Sequence, residues 1–224
     1  EVEDLLDLSV ATRQYVIRES SGSYDTSARL DLSQIDFDAL SRHFARAHKH
    51  TEVEKLRGAV SSKLTRMVRL NKSRASFQER FQRMIDEYNS GSKNVETLFE
   101  ELVEFVRALN EEEQRHVAEQ LSEEELAMFD LLVKTDVVLS EREQGEVKKV
   151  VRDLLVTLKH ELLVLDWRKK QQAIAQVRLA VKEALDGGLP ASYTSTLYER
   201  KCEEVFQHIY DSYVGAGKSI YTAA

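Results

Sequence analysis

Proline occurs once in this 224-residue chain and glycine eight times. So few turn-formers exclude a β-sandwich or barrel with its many reversals and leave long helices as the expected architecture. Cysteine also occurs once, at Cys202, which excludes an internal disulfide framework and fits a reducing compartment. No apolar run approaches the ~20 residues that a bilayer-spanning helix needs, and no signal peptide opens the chain. A cytoplasmic location without membrane contact is therefore expected. The first residue is Glu1 rather than methionine, so the chain reads as a segment of something longer.

What is present in quantity is charge. Charged residues make up 32% of the chain and hydrophobic residues 42%, enough for a proper core, and the net charge is −7. The two signs are unevenly spread. Between Arg42 and Arg83 there are twelve Lys and Arg against three Glu, whereas between Asn94 and Glu146 there are sixteen Asp and Glu against four Lys and Arg. Such asymmetry marks either an electrostatic footprint for DNA or an acidic partner, or basic helices packed beside acidic ones of the same chain. Internal pairing is favoured.

Helical periodicity and capping signals agree over most of the length. Ile35, Phe37, Leu40 and Phe44 mark a first face behind Asp36. Thr51 with Glu54 has the spacing of a capping box for a second helix, whose stripe is Leu56, Val60, Leu64, Met67 and Val68. Ser73 is expected to start the third, with Phe77, Phe81, Met84 and Ile85 on one side, and Asn94 the fourth, with Leu98, Leu102 and Phe105. Ser122 with Glu125 and Ser140 with Glu143 repeat the box, and Thr194 is set to cap a last helix containing Val205, Phe206 and Ile209. The expected fold is all-α: about eight helices in an irregular helical bundle over residues 31–214. An extended connecting arm over 1–30 precedes it, and a disordered or tag-like tail over 215–224 follows.

One stretch organises the rest, Leu163 to Gln172. It holds the single tryptophan, Trp167, beside Asp166, which is expected to cap a long helix bearing Ile174, Val177, Val181 and Leu185. Together Asp166 and Trp167 are the expected structural anchor. Arg168, Lys169 and Lys170 would then lie in the first helical turn, where the dipole disfavours cations by roughly 0.3–1 kcal/mol each. Either an acidic neighbour offsets that cost or an anion on a partner does.

Catalytic signatures fall short. Gly215-Ala216-Gly217-Lys218-Ser219 resembles the end of a Walker A loop, but Ser212 stands where the loop's first glycine belongs, and no strand precedes it. Glu113 and His116 have metal-ligand spacing on a helix, yet no second such pair exists. His43, His48 and His50 lack a thiolate or carboxylate companion, and Cys202 reads as a small buried apolar residue. No catalytic, cofactor-binding or metal-binding residue is expected.

Several long strings go further. Ser73-Arg74 through Phe77-Gln78-Glu79-Arg80-Phe81, then Ile85 to Ser92, Leu98-Phe99-Glu100-Glu101-Leu102, Leu121 to Leu132, Leu165 to Gln172, and Leu197-Tyr198 through Val205 to Tyr210 occur in a fixed order. Together with the lead-in Leu30 to Phe37, they resemble the C-terminal helical domain of type I restriction enzyme R subunits, over about Leu5 to Tyr213. The resemblance implies a parent that uses ATP and Mg2+ to translocate double-stranded DNA and cut it, with nuclease and motor domains preceding the helical region. It implies that the helical region docks the R subunit's own motor domains onto methyltransferase subunits for modification and specificity. None of the parent's catalytic motifs has a position here. Arg168, Lys169 and Lys170 are expected to face an acidic surface of the methyltransferase or the DNA backbone. Arg66, Arg69, Lys72 and Arg74 would serve the alternative, a direct double-stranded DNA clamp in the basic region 42–83.

Overall fold

A computed structural model describes Leu32, residues 35–134 and residues 137–222. Eight α-helices occupy the described residues: α1 Phe37–Arg46, α2 Lys49–Leu70, α3 Ala75–Asn89, α4 Val95–Ala118, α5 Glu123–Val133, α6 Glu141–Thr157, α7 Gln171–Gly188 and α8 Ser195–Ser212. Two short strands, β1 Tyr213–Gly215 and β2 Lys218–Ser219, follow them. The all-α expectation holds. The connecting arm expected over 1–30 lies outside the described residues.

Local chemistry sets most helix starts. Asp36 accepts from the amides of Asp38 and Ala39 at 3.0 Å each, and Asn94 accepts from Thr97 at 2.8 Å. Ser122 with Glu125 and Ser140 with Glu143 form complete capping boxes, and Thr194 caps α8. Each satisfies amides that the first turn leaves without partners.

Three expected starts move. Thr51 does not cap, because its amide already donates to His48 O at 2.9 Å inside a helix that begins at Lys49. Ser73 does not start α3: Asn71 caps a 3-10 turn over Lys72–Arg74, and the Ser73 hydroxyl donates instead to Asp130 at 2.9 Å. Asp166 does not cap α7, which begins five residues later at Gln171. Its backbone is left-handed, with φ 56°, and its side chain makes no capping bond.

The described residues fall into two compact units, one of those up to 66 together with 76–113, the other of 67–75 together with those from 114 onward. In the first, α1 lays Phe44 flat on Phe99 of α4, ring centroids 3.8 Å apart, and Phe81 of α3 stacks on Phe105 at 5.7 Å. Val53, Leu56 and Val60 of α2 and Leu98, Leu102 and Val106 of α4 are buried with them.

In the second unit, α5 contacts α6, α6 contacts α7, α7 contacts α8, and α8 returns to α5. The ring closes over Leu126, Met128, Leu132, Val147, Val151, Leu154, Trp167, Val177, Val181, Leu185, Val205 and Ile209. Buried polar groups run beside this core. Asp130, 3% exposed, accepts from Asn71 at 2.7 Å and from Arg115 at 2.9 Å. Burial alone would raise its pKa, but Arg115, Asn71 and Ser73 outweigh that and hold the carboxyl below its ordinary value.

The disordered tail expected over 215–224 is, as far as Thr222, a hairpin. β1 pairs antiparallel with β2, and the turn residues Ala216 and Gly217 both have positive φ, 53° and 76°, as tight two-residue hairpins require. Tyr221 then anchors the end by donating to Leu70 O at 2.8 Å. The missing signal is plain: seven residues of strand and turn leave no periodicity to read, and the anchoring partners lie far away in sequence.

Candidate functional site

After α6 the chain widens into a π turn over Leu158–Leu162, and Leu163 N bonds back to Leu158 O at 2.9 Å. It then reverses through left-handed Asp166 into a 3-10 turn, Trp167–Lys169. The reversal drives Trp167 inward: its side chain is fully buried, its indole Nε1–H donates to Tyr213 O at 3.1 Å, and its ring meets Tyr210 edge-on at 5.7 Å. Ala216 N closes the other side by donating to Leu163 O at 2.9 Å. Gly215 makes the approach possible, since a Cβ there would sit 2.4 Å from Val164 O.

The same reversal disposes of the dipole conflict. Because α7 starts at Gln171, Arg168 and Lys169 lie outside it in the 3-10 turn, and only Lys170 stands at the cap position. Arg168 lies over the Tyr210 ring at 5.3 Å, and Lys169 pairs with Asp166 at 3.0 Å. Lys170 is exposed. Trp167 is part of the buried core of its unit, and Asp166 contributes by backbone conformation rather than by capping.

The four cations of the basic region have different surroundings. Arg66 pairs with Glu113 at 3.1 Å, and Glu113 also takes Lys63 at 2.6 Å. Lys72 pairs with Asp211 at 2.6 Å. Arg74 is 1% exposed and held by Glu123, so it has no surface to offer DNA. Arg69 is exposed. Lys49 pairs with Glu96 at 2.8 Å. Lys49, Lys63, Arg66 and Arg74 of the basic stretch are thus paired with glutamates of the acidic stretch, each within its own unit.

The weak chemical motifs find structural roles. Gly215–Ser219 lies in the hairpin, and among the described residues no helix N-terminus follows it to cradle phosphate. Glu113 is taken by Lys63 and Arg66, and His116 faces Glu123 at 3.8 Å. His43 sits 3.5 Å from Glu52, and His50 bonds Tyr88 at 2.9 Å. Cys202 is 4% exposed, and burial pushes its thiol pKa up. Among the described residues no group of three or more His, Cys, Asp or Glu is placed to share a metal ion, and no helix is long and apolar enough to cross a membrane.

Four more side chains lie at this site. Val164 and Leu165 project from the turn, 47% and 68% exposed, and Val214 projects from β1 at 57%. Lys218 is exposed opposite Gly215 on β2. Alternation within β1, with Tyr213 and Gly215 inward, was the one readable signal for Val214.

One protein family matches the chain, described as "Type I restriction enzyme HindI endonuclease subunit-like, C-terminal", over residues 1–213. No curated protein and no solved structure matches it.

Proposed function

The chain belongs to the type I restriction enzyme HindI endonuclease subunit-like C-terminal family, and from that membership we propose that it is a non-catalytic coupling element. In this reading it docks the motor of a type I restriction enzyme onto the methyltransferase core of modification and specificity subunits. ATP and Mg2+ chemistry belongs to the parent's other domains. The observation that carries the reading is the cationic turn Arg168–Lys170, fastened to a helical core by the fully buried Trp167.

The physical reason is mechanical. A motor moves DNA past an anchored site only while it stays attached to the anchor. A loose loop would extend under load before transmitting it. Here the turn is held on one side by an indole in a packed core and on the other by a hairpin bonded to its backbone.

Co-expression with modification and specificity subunits tests the docking reading. The chain is expected to be retained through purification, and R168A/K169A/K170A to bind more weakly with a shallower salt dependence. Failure of the unaltered chain to associate would sink the reading. Unchanged assembly and salt response in the triple variant would remove these cations from it. Tight binding to duplex DNA, falling steeply with salt as released counterions demand, would instead favour the clamp.

A further inference from the structure

The turn after α6 and the hairpin after α8 are distant in sequence but form one surface. Ala216 N donates to Leu163 O at 2.9 Å, and the Gly215 Cα lies against Val164 O so closely that no side chain fits between them. That contact sets the segment bearing Val164 and Leu165 against the one bearing Val214, and these are three of the seven large hydrophobic side chains exposed among the described residues. A single exposed aliphatic residue means little. Three on two segments bonded to each other, around a tryptophan with no exposure at all, are not scattered singly.

Charge frames this patch. Residues 163–170 and 213–219 carry four cations, Arg168, Lys169, Lys170 and Lys218, against one carboxylate, Asp166. Asp166 is engaged by Lys169 at 3.0 Å. The Arg168 Nε and Nη2 are buried without a hydrogen-bond partner, so Lys170 and Lys218 are the exposed cations of the rim. In a chain of net charge −7, this is a local reversal of sign around an apolar centre.

We propose that Val164, Leu165 and Val214, rimmed by Lys170 and Lys218, form a protein-docking surface whose occupant is an apolar segment edged by carboxylates. The inference rests on the docking reading above and gives it a location and a partner chemistry. A phosphate backbone is met by donors and cations; it offers no apolar surface to cover three aliphatic side chains. A protein interface has that composition instead, an apolar middle that excludes water and a charged rim that steers and sets register.

The test uses the full chain co-expressed with modification and specificity subunits, and compares Leu165→Asp and Val214→Asp with Val138→Asp. Val138 is 97% exposed and outside the patch, so it controls for added surface charge. Leu165→Asp and Val214→Asp are expected to weaken association roughly ten- to a hundredfold. Val138→Asp should leave it unchanged, and all three should melt with the parent chain because none of these side chains is in the core. Lys170→Glu and Lys218→Glu should weaken association less, by an amount that shrinks as salt rises. If the unaltered chain binds and Leu165→Asp and Val214→Asp bind equally well, this surface is wrong while docking stands. If the unaltered chain does not bind, the docking reading and this surface fall together. If a short DNA duplex binds, the lysine variants weaken it and the aspartates do not, then the rim contacts nucleic acid and the apolar partner is refuted.

Discussion

His208 on α8 provides a pH dependence whose sign and size follow from hydrogen-bond bookkeeping. Tyr221 has one hydroxyl proton, and Leu70 O accepts it at 2.8 Å. The 3.0 Å contact between Tyr221 Oη and His208 Nε2 must then be donated by Nε2–H. That fixes the tautomer and leaves Nδ1 as a bare lone pair. Nδ1 is buried and has no hydrogen-bond partner, so a second proton there would place a charge without an acceptor in a side chain only 4% exposed. Burial first, then the nearby Lys72 ammonium, pushes the imidazole down to about 4, against a weaker upward pull from Asp211.

The linkage follows directly. In the unfolded chain a histidine takes its proton near pH 6.5, so between that value and about 4 the unfolded state binds the extra proton. Stability is full above pH 6.5 and falls as the pH drops through this window. From pH 7.5 to 5 the loss amounts to about 2 kcal/mol from this group alone. Urea titrations followed by the fluorescence of Trp167, the single tryptophan and part of the same unit, would measure it. Other titrating groups are removed by comparison with His208→Gln, whose amide can still donate toward Tyr221 but does not titrate. The parent chain should lose about 2 kcal/mol more than the variant over that interval. Equal losses, or a His208 resonance that titrates near 6.5 in the folded protein, would refute the assigned tautomer and its burial.

Gly215→Ala should cost at least about 2 kcal/mol, since φ is +105° and the new Cβ would meet Val164 O at 2.4 Å, a backbone atom that cannot swing aside. Gly217→Asn, at φ +76° with open space around it, should cost under about 1 kcal/mol because asparagine tolerates that backbone. Thermal melts of the two variants side by side decide it, and equal losses would contradict the close approach. Arg74→Ala should destabilise by roughly 3–5 kcal/mol by leaving Glu123 without its buried partner. Arg69→Ala, at an exposed position, should stay within about 0.5 kcal/mol. The reverse order in a denaturant series would mean that the basic region is organised differently.

The sequence was most informative where structure depends on neighbours. Ser122 with Glu125 and Ser140 with Glu143 form their boxes because both partners lie within one helical turn. It misled where a distant segment decides the backbone. Asp166 has every local qualification for a cap, yet Trp167 must turn inward to reach Tyr213 O, 46 residues away. The left-handed reversal at Asp166 that accompanies this burial moves the helix start to Gln171. The hairpin was illegible for the same reason, being fixed by Leu163 and Leu70 from outside its own span. Asp130 and His208 gave no signal at all, because their partners come from other elements.

Charge shows the same division between what composition reports and what contacts decide. A twelve-to-three excess of cations between Arg42 and Arg83 has the look of a nucleic-acid footprint. Once folded, Lys49, Lys63 and Arg66 are opposite glutamates of α4, and Arg74 is buried against Glu123. Part of that excess is therefore paired, inside each unit, with the acidic stretch that follows it in sequence. The turn at Arg168–Lys170 is different in kind. Its one local carboxylate engages only Lys169, and exposed aliphatic side chains stand beside it where a soluble surface would ordinarily carry polar groups. A cation that already has its carboxylate gains little from a partner, whereas an unpaired cation beside bare apolar surface gains on both counts. By that criterion the smaller cluster, not the larger one, is where the proposed docking partner would sit.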